Sequence, residues 1–403
     1  MQILIKYSNK IYYYLLILIA ITLFIPMKIS NIAVVLLLVN WLLGLNYKEK
    51  ISKAFSNLFF WLFIGIYIIS IIGLAYTTNT KHGMFSLEKQ LSLLLFPLII
   101  SSSPALERKQ LNKIIICYII TSVVAILFTF SYAVHRATIV PEGYYKLNIF
   151  TNEITFIMGT SHVYYGLYLV LSALYCIYLF YNTTKFTLRC LLVVAYIIIF
   201  AYTVLITAKI ALISLVILSV VLLIYLKRFF KIYSLIVFIV LIVVSIQLWN
   251  YIPKIKERFS DITLSSGSFY SSQRIATLNC SSELIKENWL LGVGTGDDYD
   301  LLNNCYEQMG QQKFEGLDTH NQYFDFLLTF GIGGLLVFLT SLLVPLYNAI
   351  KEKQILYILF LLHFMICCLT ENLLDNNKGI VFFAFFNSLF AFNLLRKRNE
   401  QVQ

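Results

Sequence analysis

Charge is scarce in this chain. Of its 403 residues, 13% are Asp, Glu, Lys or Arg, against about 25% in soluble domains. With 59% hydrophobic residues and a mean hydropathy of +0.79, one water-soluble core could not hide the apolar surface. Period-two alternation is missing too. Transmembrane strands alternate apolar and polar residues, whereas the apolar runs here are continuous and about 17–25 residues long, which excludes a β-barrel. Several chemical signatures are also absent. There is no Gly-x-Ser-x-Gly elbow for a nucleophile and no His-Cys cluster with zinc spacing. The Gly292-Val293-Gly294-Thr295-Gly296 turn follows an amphipathic helix rather than a buried strand, so it is not a dinucleotide fingerprint. The first apolar run, 11–27, lacks a small-x-small cleavage site and reads as a span rather than a signal peptide.

What remains is an all-α, polytopic membrane protein. Twelve spans are expected, near 11–27, 31–47, 57–76, 90–103, 113–134, 162–181, 188–206, 209–226, 230–250, 322–348, 355–373 and 379–396. Residues 1–250 thus carry nine spans, 251–320 form one long loop with short helices, and 321–403 carry three spans and a tail. The net charge of +11 does not point to nucleic acid, because Lys and Arg cluster between apolar runs. With the N-terminus inside, 18 of the 31 Lys and Arg fall in cytoplasmic segments, as the positive-inside rule requires. Both termini are then cytoplasmic. Residues 251–320 face outward with 10 acids against 6 bases, and a loop that long is expected to be functional.

Within that loop, Ser272 to Trp289 has helical periodicity, capped by Ser271 or Ser272. Ile275, Leu278, Ile285 and Trp289 share a face suited to the membrane surface or the tops of the spans. Cys280 and Cys305 lie in the same loop and could pair in an oxidising compartment. Asp318 or Thr319 suits the N-cap of the next span. His320 would then lie in its first turn, at the positive end of the helix dipole, where a neutral imidazole can accept a proton. His162 opens an earlier span. Lys209 and Glu371 are ionisable groups at span ends, and Arg274 opens the loop helix. Cations there suit a phosphate or diphosphate. Asp298-Tyr299-Asp300 resembles an acid-x-acid metal pair, with a solvated acidic turn as the plainer reading, and no metal is expected.

Arg274, then Trp289-Leu290-Leu291-Gly292-Val293-Gly294, His320-Asn321-Gln322-Tyr323 and Gly331-Ile332-Gly333-Gly334 together resemble the O-antigen ligase and polymerase superfamily. Ser161-His162-Val163-Tyr164-Tyr165-Gly166 and the Glu371 turn running into Lys378-Gly379-Ile380-Val381-Phe382-Phe383 extend the resemblance over residues 160–390. It implies an inverting glycosyltransferase that uses no nucleotide, metal or other cofactor. The donor would be a glycan on undecaprenyl diphosphate. The acceptor would be a lipid A-core sugar for a ligase, or a growing glycan for a Wzy-type polymerase. The site would face the periplasm from a bacterial inner membrane. His320 would act as base and Arg274 would bind the diphosphate, while Lys209, Glu371, His162, Asn321, Gly292 and Gly294 would contact substrate. Lys209 stands where many members have Arg, and Lys378 is the nearest cation to the Glu371 turn. Ligase is the leading reading. A transporter for lipid-linked glycans is the alternative of another class, and it would want charged mid-membrane positions that these spans lack.

Overall fold

A computed structural model describes residues 2–139, 157–159, 161–206, 208–225 and 269–395. Among the described residues helix is the only regular structure, with no strand. In chain order the helices are α1 (Gln2–Thr22), α2 (Met27–Leu43), α3 (Tyr47–Phe55), α4 (Leu58–Leu74), α5 (Thr80–Gln90), α6 (Ser92–Ser102), α7 (Arg108–Ile139), α8 (His162–Asn182), α9 (Phe186–Leu205), α10 (Lys209–Tyr225), α11 (Phe269–Asn288), α12 (Asp298–Gln308), α13 (Gln322–Lys351), α14 (Ile355–Cys367) and α15 (Asn377–Phe390). Among the described residues, six helical stretches are long and apolar enough to cross a membrane, or up to seven if α2 and α3, bent by 116°, count as one. Every expected span except 230–250 falls on a helix. Residues 230–250 lie outside the described residues, as does the 251–268 part of the long loop.

One span begins earlier than its hydropathy suggests. The expected 90–103 run is the second half of the stretch Thr80–Ser102, whose first half is the polar helix α5. Pro97 sits inside α6. The 355–373 run ends early, since α14 stops at Cys367 and gives way to a turn that carries Glu371.

The chain forms two compact units. The first comprises residues 1–9, 38–105 and 261–403, the second 10–37 and 106–260. In the first, α13 packs on α4 and α11, and α15 packs on α6 and α14. The α14–α15 interface is built of phenylalanine: Phe364 stacks on Phe383 with ring centroids 4.4 Å apart, and Phe360 touches Phe382, Phe386 and Phe390. Lipid tails are as apolar as Phe, so close dispersion contact rather than escape from water holds these helices together. In the second unit α8 packs on α7, α9 and α10. Buried tyrosines tie it together: Tyr118 donates to the Tyr168 carbonyl at 2.9 Å, and Tyr202 to Thr129 at 2.7 Å.

Candidate functional site

The loop between α11 and α13 belongs wholly to the first unit. Helix α11 forms over Phe269–Asn288, close to the expected 272–289. The apolar face expected to be its docking side is divided: Ile285 is partly buried against the core of the loop, while the rest is turned outward. Ile275, Leu278 and Trp289 are exposed, and the buried side carries the small residues Ala276, Thr277, Cys280 and Ser281. Small residues let α11 come close to its neighbours. Cys280 is joined to Cys305 of α12 by a disulfide. Around it pack Ala276, Leu302, Tyr306, Phe314 and Leu328, which makes a small core for the loop.

The glycine turn has a structural task. Helix α13 is broken at Gly331, whose φ of 65° and ψ of −164° are non-helical. Such a break frees backbone groups that lipid cannot satisfy. The loop supplies partners: Val293 N–H donates to the Leu328 carbonyl and Gly294 N–H to Thr329, both at 2.9 Å. In return Ile332 N–H donates to the Trp289 carbonyl at 2.8 Å. The two backbones come so close that a Cβ on Gly292 would lie 2.4 Å from the Thr329 carbonyl oxygen, and one on Gly331 2.3 Å from that of Leu290. Gly292 and Gly294 therefore face the broken span.

Asp297 anchors the other end of the turn. Burial alone would raise its pKa, but the Thr78 and Asn79 amides, at 2.8 and 2.7 Å, outweigh that and hold it below the usual value. Asn79 in turn donates to Asp300 at 2.8 Å.

His320 precedes α13 rather than lying in its first turn. The N-cap is Asn321, whose side-chain oxygen accepts from the Tyr323 and Phe324 amides. This corrects the expectation of Asp318 or Thr319. Asp318, Thr319 and Asn321 are all capping types, and here the other two are engaged elsewhere. Thr319 donates to Asn372 at 3.0 Å. Asp318 accepts the His320 amide at 2.8 Å, which holds His320 in a left-handed conformation with φ of 48°. The same Asp318 oxygen lies 3.1 Å from His320 Nδ1, and Gln273 Nε2 lies 3.2 Å from His320 Nε2. Both His320 and Asp318 remain about one-third exposed, at 30% and 38%.

The turn after α14 closes over this segment. Gln322 N–H donates to the Cys368 carbonyl at 2.9 Å, and Leu374 N–H donates to the Gln322 side chain at 2.6 Å. The turn thereby sets Glu371 within electrostatic reach of Asp318 and Arg274. Burial and then the Asp318 charge push its pKa up to about 8, and the Arg274 guanidinium pulls it down. Arg274 itself is exposed on the first turns of α11, beside Gln273. Lys378 is buried at the start of α15.

A cavity of about 210 Å³ opens beside Asp318. It is lined by His82, Lys89, Gln90, Thr329 and the carboxylates of Asp298, Asp325 and Asp375. Burial and the Asp375 charge raise Asp298. Burial and Asp318 raise Asp375. The acid-x-acid pair is split, because Asp298 faces this cavity while Asp300 bonds Asn79.

Thus His320, Asn321, Arg274 and Glu371 come together, and Gly292 and Gly294 lie at the α13 break. His162 and Lys209 open α8 and α10 in the second unit. Sequence reasoning missed Asp318 and Gln273 as partners of the imidazole. The one available signal was the Asp-x-His spacing, which puts a carboxylate within reach of Nδ1. No curated protein matches the chain. A family model described as O-antigen ligase (Wzy_C) does match, over residues 191–339, a stretch that contains Arg274, the glycine turn and His320, so that stretch is similar to the O-antigen ligase family.

Proposed function

We propose that this membrane protein is a ligase that moves a glycan from undecaprenyl diphosphate to a hydroxyl of a lipid A-core sugar. In this reading the chain crosses a bacterial inner membrane twelve times, and residues 251–320 face the periplasm. The observation that carries it is the ordered imidazole: His320 between Asp318 and Gln273, with Arg274 on the adjoining helix turn and Glu371 closing over it. An Asp318 carboxylate at Nδ1 fixes the proton of a neutral imidazole on that nitrogen. Nε2 is then the acceptor, paired with the Gln273 amide until an acceptor hydroxyl takes its place.

Transfer follows from that arrangement. Nε2 takes the proton of the acceptor hydroxyl as its oxygen attacks the anomeric carbon from the face opposite the diphosphate. The bond from that carbon to the diphosphate oxygen breaks, and the diphosphate leaves with the electron pair. The configuration inverts. Arg274 neutralises the departing charge with paired N–H donors. The step needs no nucleotide and routes through no metal. Charge neutralisation carries the larger share, and the base adds roughly 10²–10⁴-fold.

The test is complementation of a strain lacking the gene, with surface glycan read on a gel. Loss of the protein should leave carrier-linked polymer of normal length unattached to lipid core. Arg274→Ala should fail to restore attachment, His320→Ala should leave a trace, and Asp318→Asn should fall between His320→Ala and wild type. A single repeat unit on the lipid core would instead make the protein a polymerase. Full activity of His320→Ala would remove the base assignment.

A further inference from the structure

Three aspartates from separate elements converge in the first unit. Asp298 opens α12, Asp325 lies in the first turn of α13, and Asp375 precedes α15. One carboxylate oxygen from each lies within 4.8 Å of the others. Like charges that close repel strongly away from water. Among the described residues the one ammonium lining their cavity is that of Lys89, and it donates to the Asp375 backbone carbonyl at 3.2 Å.

The walls of the cavity hold further oxygens without partners. Gln90 Oε1 and Thr329 Oγ1 are buried and bond nothing among the described residues, and neither does Asp298 Oδ1. Gln90 is 9% exposed and Thr329 5%, and both line the cavity. Buried oxygens left unsatisfied call for a donor or a cation. Asp325 is meanwhile held in place from behind: Gln322 Nε2 donates to one of its oxygens at 2.9 Å and Asn372 Nδ2 to the other at 3.0 Å. Amides that orient a carboxylate while leaving its other lone pairs open are the usual surroundings of a ligand oxygen.

We propose that Asp298, Asp325 and Asp375 bind one hard divalent cation, Ca²⁺ before Mg²⁺, with Gln90 and Thr329 as neighbouring oxygen donors, and that the ion fastens α12 to the spans. An all-oxygen donor set selects Ca²⁺, Mg²⁺ or Mn²⁺ over softer metals. Mg²⁺ demands near-ideal octahedral geometry and sheds water reluctantly, whereas Ca²⁺ takes about six to eight oxygens in a flexible arrangement, which suits three carboxylates with two neighbouring side-chain oxygens. The cavity has room for the waters that would complete the coordination. Asp318, the partner of the His320 imidazole, lines the same cavity but is not one of the three ligands, and the proposal does not rest on glycan transfer.

The test uses the full chain in detergent, stripped with chelator, with CaCl₂ or MgCl₂ titrated against the thermal unfolding midpoint. A saturable rise is expected, with Ca²⁺ acting at lower concentration than Mg²⁺. Asp298→Asn and Asp375→Asn should each raise the half-saturating concentration by at least about tenfold. Asp300→Asn, whose carboxylate bonds Asn79 instead, should respond as wild type. Without cation, Asp298→Asn should be more stable than wild type, since one of three like charges is gone. No response up to about 10 mM Ca²⁺, above the range of weak extracellular sites, would overturn the proposal. So would wild-type responses from both aspartate variants. Equilibrium dialysis of wild type with radioactive Ca²⁺ gives a readout independent of variant folding. One bound ion per chain is expected, and none would defeat the site.

Discussion

Glu371 shows how neighbours set a side chain's protonation here. Its ordinary pKa of 4.5 rises to about 8, because burial and Asp318 disfavour the charged form more than Arg274 favours it. The sign of the stability effect follows. An acid whose folded pKa exceeds its unfolded pKa holds its proton more tightly when folded. Below about 4.5 both states are protonated and nothing is lost. Stability is withdrawn as pH climbs from about 4.5 to about 8, and the loss is complete above that. Glu371→Gln keeps the shape and cannot ionise. Its unfolding midpoint should match wild type at about pH 4, exceed it increasingly up to about pH 8 and level off above that. A difference that stays flat with pH, or reverses, would show that Glu371 is ionised in the folded protein across that range.

The break in α13 is the feature on which the loop helices depend. Among the described residues, backbone groups freed by the break at Gly331 bond Val293, Gly294 and Trp289, so the loop and the span are parts of one structure. The conformation at Gly331 is one that essentially only glycine adopts, and a Cβ there would strike the Leu290 carbonyl. Gly331→Ala should therefore destabilise the protein by at least about 3 kcal/mol, read as a fall in the unfolding midpoint. Gly333→Ala, where a Cβ meets nothing within 4 Å, is the matched control and should change little. Equal behaviour of the two would mean that the break is not required. The sequence announced much of this region. Periodicity located α11, and the Asp-Thr-His-Asn run marked the start of α13 to within a few residues. It could not choose among three capping residues, because that choice depends on Asn372, about 50 residues away in sequence. Nor could it show that residues 289–294 complete a broken span, or that Asp298, Asp325 and Asp375 meet. Those relations join segments with no shared local pattern. The outward turn of Ile275 and Leu278 was hidden for a different reason. Periodicity identifies an apolar face, but it does not say whether lipid or protein will cover it.

At the scale of the whole chain the open question is which side of the membrane each segment faces, and charge gives the argument. The basic residues crowd the segments assigned to the cytoplasm, while 251–320 is mildly acidic. Translocation disfavours Lys and Arg, so residues 251–320 should lie outside. The Cys280–Cys305 disulfide within that stretch suits an oxidising compartment. Gly310 is a suitable place for a probe. It is exposed, its φ is 66°, and a Cβ there would meet nothing within 4 Å. A short tag inserted after Gly310 should react with an impermeant reagent on intact spheroplasts, and a tag after Gln403 should react only once the membrane is opened. If the Gly310 tag were protected and the C-terminal tag exposed, the orientation would be inverted. His320 and Arg274 would then face a cytoplasm where nucleotide-linked donors abound, and the case for a diphosphate-lipid donor would lose its main support.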